Sequence, residues 1–139
     1  MGEWTSTFSR AAELFVEIKK GNVPDSLIEK YQKRMLRMLV TRDERFLKIT
    51  EKYIDFKELL DIRKRMIGTG LIGGKSVGML LARAIIRKRG KKLIDRLEAH
   101  DSFFIGSDVF YTYLVQNGCW WIRRKIQDPG KQKEHVEEA

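Results

Sequence analysis

The sequence predicts a mostly helical α+β fold: a helical N-terminal half, a glycine loop, a helix after it, and a short strand followed by a helix. Three observations predict it. Apolar residues recur at helical spacing through the first 64 residues, with turn formers between the runs. One stretch, Gly68-Thr69-Gly70-Leu71-Ile72-Gly73-Gly74, is rich in glycine and opens through Lys75 into an apolar run from Ser76 to Arg89. Beyond it, Ser102-Phe103-Phe104-Ile105-Gly106 is short, apolar and bounded by turn formers, as a strand should be.

Residues 1–64 form the first segment. Phe8, Ala11, Ala12, Phe15 and Ile18 make one helical stripe, which Gly21-Asn22 stops. Pro24 sits where a first helical turn tolerates it. Leu27, Ile28, Tyr31, Met35, Met38 and Leu39 follow as a second stripe. Asp25 and Glu29 lie near its positive end, and Lys33, Arg34 and Arg37 toward its negative end, the order the helix dipole favours. Thr41 with Glu44 reads as a capping box for a third helix carrying Phe46, Leu47, Ile49 and Tyr53. Asp55 with Glu58 repeats the pattern before Leu59, Leu60 and Ile62. No residue in this segment suggests chemistry.

Residues 65–123 form the second segment. A short strand is expected at Arg65–Ile67, then the loop, then a helix. That helix has Val77, Leu80, Leu81, Ala84 and Ile85 on one face and Met79, Ala82 and Ile86 on another. Apolar groups on two sides predict packing on two sides, and so a central helix. Gly90 breaks the pattern, Lys91–Glu98 reads as a short helix, and Ala99-His100-Asp101 as a turn. After the strand, Ser107 or Asp108 is placed to cap a helix carrying Phe110, Tyr113 and Leu114, ended by Asn117-Gly118. Cys119, Trp120, Trp121 and Ile122 concentrate apolar surface; if exposed, a homodimer is the expected consequence. Residues 124–139, with a turn at Asp128-Pro129-Gly130, read as a polar tail.

A chain of 139 residues is one domain by length. No stretch approaches the roughly 18 consecutive apolar residues of a membrane span. The first residues do not read as a secretory signal. Cys119 is the single cysteine, which excludes a disulfide framework and a cysteine metal cluster. A cytoplasmic location is therefore expected. The net charge of +9 invites a nucleic-acid reading, yet the basic residues are spread along the chain and often interleaved with acids. The denser runs, Arg63-Lys64-Arg65 and Arg87-Lys88-Arg89 with Lys91-Lys92, flank the glycine loop.

The loop itself suits an anion. Glycine lets a ligand approach the main chain, the following helix points unpaired N–H groups at the loop, and Lys75 adds a mobile cation. Gly74-Lys75-Ser76 fits the end of the pattern G-x-x-x-x-G-K-[ST], but the first glycine of that pattern would be residue 69, which is threonine. Gly68, Gly70 and Gly73 match G-x-G-x-x-G, which further needs an apolar strand before it and an acid about twenty residues on. Asp61 to Ile67 is too charged for a buried strand.

The run Leu71-Ile72-Gly73-Gly74-Lys75-Ser76-Val77-Gly78-Met79-Leu80 resembles the Gly-Gly-Lys segment near the start of the ATP-binding domain of phosphoenolpyruvate synthases and pyruvate phosphate dikinases. Phe103 to Phe110 falls where that family has its next strand and small helix, and residues 55–123 are similar to the N-terminal part of its long bacterial and archaeal members. The resemblance implies that Lys75 contacts ATP phosphate and that Gly73 and Gly74 give backbone access, with Ser76 beside them. It implies ATP and magnesium as cofactors, and phosphoryl transfer to pyruvate through a phosphohistidine. The family's second lobe, magnesium carboxylates and phosphorylated histidine lie further along than this sequence, and neither His100 nor His135 has that histidine's context. A fragment or truncated relative, catalytically incomplete alone, is therefore the expectation. The alternative is a basic helical interaction module that binds nucleic acid or a protein partner. Plainer roles also stand: Lys75 as a surface lysine, Asp108 as a helix cap, His100 as a solvated turn residue.

Overall fold

A computed structural model of the chain describes residues 2–98 and 101–126. It is mostly helical with one two-stranded sheet. The first four helices are α1 (Glu3–Lys19), α2 (Asp25–Leu39), α3 (Glu44–Tyr53) and α4 (Phe56–Lys64). α2 packs on the other three and supplies the centre of the core. Met35, Leu36 and Leu39 of α2 are fully buried, together with Leu47, Ile54 and Leu59. Each such side chain contributes about 1.5–3 kcal/mol by leaving water. Gln32 braces the group from inside: its side-chain nitrogen donates to the carbonyls of Ile54 at 2.8 Å and Glu51 at 3.2 Å, at the otherwise open end of α3.

The helix starts follow from local chemistry. Asp55 accepts from the backbone N–H of Glu58 at 2.8 Å while the Glu58 carboxylate accepts from the Asp55 N–H at 3.0 Å, the reciprocal cap expected for α4. α3 departs from expectation. Its cap is Asp43, which accepts from the N–H groups of Arg45 and Phe46, both at 3.0 Å. Thr41 instead accepts from the Asp43 N–H, and Glu44 pairs with Arg37 at 2.6 Å. A carboxylate at the positive helix end gains from the dipole as well as the hydrogen bonds, so Asp43 displaces threonine from the role.

Strands β1 (Met66–Ile67) and β2 (Phe104–Ile105) pair in parallel, Met66 opposite Phe104 and Ile67 opposite Ile105. Both are shorter than the sequence suggests. Between them run α5 (Gly74–Arg89) and a 3-10 helix (Lys91–Arg96), the long crossover that parallel pairing requires. The short helix expected over Lys91–Glu98 is this 3-10 helix, ending at Arg96. α5 is not the central helix. Val77 and Ala84 are its buried residues, Leu80, Leu81 and Ile85 are half-buried, and Ala82 is exposed. Met79 and Ile86 on the other face are half-buried too, and α5 packs on α3 and the 3-10 helix, while α2 takes the centre.

The chain divides into two compact units, the first running to Ser107 and the second beginning at Asp108. The second holds the rest of α6 (Ser107–Gln116) and α7 (Trp120–Ile126), joined by a turn in which Gly118 has φ 68°. The start of the expected polar tail, residues 124–126, is helical in α7. His100, His135 and the Asp128-Pro129-Gly130 turn lie outside the described residues.

Candidate phosphate-binding loop

The loop leaves β1 through Gly68 (φ 78°) and Gly70 (φ 88°), in the left-handed region that favours glycine. It is clamped to the turn after β2. The Leu71 N–H donates to Ser107 Oγ at 3.2 Å, and the Ser107 N–H donates to the Leu71 carbonyl at 3.0 Å. Ser107, one of the two cap candidates with Asp108, thus accepts from the loop through its hydroxyl. Ile72 is buried and donates its N–H to the Leu39 carbonyl at 2.8 Å, which ties the loop to α2. Two glycines make this interlock sterically feasible. A Cβ on Gly70 would run into Ser107 Oγ, and one on Gly106 into the Thr69 backbone.

Gly73 and Gly74 are different. Gly73 has φ −65° and ψ 149°, which any residue adopts, and a Cβ at either position would meet nothing within 4 Å. Both are exposed, so packing gives no reason for them. They stand at the start of α5, where Gly73 occupies the N-cap position and no side chain among the described residues caps the helix. The first-turn N–H groups of Gly74, Lys75 and Ser76 therefore have no intrahelical partner, and the positive end of the dipole lies among them. α3 and α4 place an aspartate at this position. Lys75 is exposed and forms no ion pair with a described residue; Ser76 is half-buried beside the buried Val77. The four sequence-predicted residues Gly73, Gly74, Lys75 and Ser76 are thus brought together at one helix start, beyond the C-terminal end of a parallel strand, where open α/β units receive ligands.

Two concavities lie in the same unit, and one of them reaches the loop. One, of about 420 Å³, has an apolar floor of Ile54, Ile62, Leu80 and Phe104 and a charged rim including Glu58, Asp61 and Arg87. Its charges are largely engaged, Arg87 with Glu58 at 2.7 Å and Asp61 with Lys57 at 2.6 Å. The other, of about 850 Å³, meets the loop at Thr69 and Gly70 and runs beside α2. Sequence reasoning missed its basic wall, although Lys30, Lys33, Arg34 and Arg37 recur at i, i+3, i+4 and i+7. Of the basic runs singled out from sequence, Arg63 lies over the Phe8 ring and Arg89 over the Tyr53 ring.

In the second unit, Trp120, Trp121 and Ile122 are exposed, with Arg124 over the Trp121 ring. Cys119 is a free thiol, half-buried. Among the described residues no group of three or more His, Cys, Asp or Glu side chains could hold a metal ion, and no helix is long and apolar enough to cross a membrane. Comparison with family models, with curated proteins and with solved structures gave no match.

Proposed function

We propose that the start of α5 binds the phosphates of a nucleotide, and that this chain is the loop-bearing part of a lobe like that of the phosphoenolpyruvate synthase-type ATP-dependent phosphotransferases. The observation that carries the reading is the pair Gly73-Gly74. They leave open space and N–H groups that no side chain caps, beside a lysine without an ion pair, all among the described residues. The likeness of Leu71 to Leu80 to the Gly-Gly-Lys segment of that family supports the same assignment.

In this reading the backbone N–H groups of Gly74, Lys75 and Ser76 donate to phosphate oxygens, and the Lys75 ammonium neutralises their charge. Lys75 is a clamp, not an acid or base. The Leu71–Ser107 hydrogen bonds and the buried Ile72 hold the loop in place, so the donors need little reorganisation to meet the ligand. Magnesium would arrive with the nucleotide, and its ligands are not assigned to this chain. The chain binds and orients; the groups that transfer the phosphoryl group are not assigned to it either.

Calorimetric titration with Mg-ATP tests this. A lysine–phosphate contact is worth about 1.5–3 kcal/mol, so Lys75→Ala should weaken binding by roughly tenfold to a hundredfold without lowering stability. Affinity that is unchanged by Lys75→Ala, or no heat with the wild-type chain, would contradict the assignment.

A further inference from the structure

One side of the larger unit carries a line of cations that the α5 site does not use. Lys30, Lys33, Arg34 and Arg37 form a stripe on α2, and the 850 Å³ groove beside it adds Arg42 and a wall containing Trp4. A second groove, of about 650 Å³, shares Lys30 and Lys33 with the first and continues to Lys52, with Glu29 and Glu51 among its lining. Lys52 Nζ lies 5.7 Å from the centre of the Tyr53 ring, and Lys88 Nζ and the Arg89 guanidinium lie over the same ring at 5.9 and 5.4 Å. Three cations from two helices thus converge on one aromatic side chain.

Their compensation is incomplete. Arg34 pairs with Glu3 at 2.8 Å, Arg37 with Glu44 at 2.6 Å, and Lys33 with Glu51 at 3.7 Å. Lys30, Arg42, Lys52, Lys88 and Arg89 have no carboxylate at ion-pair distance among the described residues. The shape decides the class of ligand. A compact anion would fill one groove and meet two or three of these charges, whereas a line of charge through two adjoining grooves fits a chain of phosphates. Lys30 to Arg37 alone spans about 10 Å of helix axis, the rise of about three nucleotides of one strand.

We propose that this track binds the sugar-phosphate backbone of a nucleic acid. The contacts are to phosphate, so they set affinity and salt dependence and read no sequence. The track meets the loop at Thr69 and Gly70 but uses none of Gly73, Gly74, Lys75 and Ser76, so neither reading depends on the other.

Fluorescence anisotropy with a labelled oligothymidylate of about 16 nucleotides, and with a duplex of the same length, tests it. The double variant Lys30→Gln/Lys52→Gln should lower affinity at least about tenfold at low salt. It should also flatten the plot of log K against log salt by about 0.7 per lysine on the single strand, or about 0.9 on the duplex. Lys57→Gln/Lys64→Gln removes the same charge from α4, where both lysines pair with Asp61, and should leave affinity nearly unchanged. Lys75→Ala should leave it unchanged as well. Binding of either nucleic-acid form with this pattern supports the track. No binding by the wild-type chain, an equal loss in the α4 control, or equally tight binding of polyglutamate would overturn it.

Discussion

Helices α1 to α4 and the strand–helix–strand unit that follows them are held together in different ways. The four helices close on themselves: α2 carries Met35, Leu36 and Leu39 into a continuous apolar centre, and each neighbouring helix contributes side chains to it. The strand–helix–strand unit has little core of its own. Its sheet is two residues long per strand, and Ile67 and Ile105, which face each other across it, are both more than half exposed. Its order comes from a few side chains set into the core that the helices provide, Ile72, Val77, Ala84 and Phe104, and from backbone interlocking, Leu71 against Ser107 and Thr69 against Gly106. Apolar volume makes the first region stable, and close backbone approach makes the second specific. A region built in the second way can leave polar main-chain groups facing outward, as at the start of α5.

The difference can be broken at several strengths. Leu36→Ala, in the fully buried centre, should cost about 2–5 kcal/mol in a urea unfolding experiment, the range for a leucine that leaves a cavity. A loss below about 1 kcal/mol would mean that the four helices are not the stable body described. In the loop unit the sensitive positions should be glycines. Gly106→Ala pushes a methyl against the carbonyl carbon of Thr69 at 2.7 Å and its nitrogen at 2.8 Å, atoms that cannot swing aside, so about 1–3 kcal/mol is expected. Gly74→Ala meets open space within a helix and should be neutral or stabilising by up to about 1 kcal/mol. Equal losses at 106 and 74 would erase the distinction between glycines that pack and glycines that face open space.

The smallest expected effect lies at the end of α1. Hydrogen bonds from Lys20, then from Asn22, hold the Glu17 carboxyl below its ordinary value of 4.5. A depressed folded value gives a contribution that is present above the unfolded value and is lost as pH falls through the folded one. The group is exposed, so the change in stability is slight. A carbon-detected titration should place the Glu17 midpoint below 4.5, and Asn22→Ala should move it upward. A midpoint at the ordinary value would show that this turn is not formed in solution.

What was legible in the sequence follows the same division. α1 to α4 were readable because apolar spacing is a local signal, and the Asp55–Glu58 cap because its two halves stand three residues apart. Thr41 and Asp43 are both cap formers, and only geometry chooses between them. α5 looked central because composition counts apolar residues without saying which face meets a neighbour. The glycine loop was visible as a candidate site, but not the sorting of its glycines. Gly70 and Ser107 lie far apart in the chain, and nothing local separates Gly70, which packs, from Gly74, which faces open space. The α2 cation stripe was readable from its helical spacing, but its continuation to Lys52 and Lys88 was not, since those come from two other helices.

The most direct test of the central claim is an amide-resolved magnetic resonance titration of the labelled chain with Mg-ATP. The start of α5 is the predicted site, so the N–H signals of Gly74, Lys75 and Ser76 should move most and saturate together. Shifts confined to the α2 stripe, or none at millimolar nucleotide, would contradict the assignment.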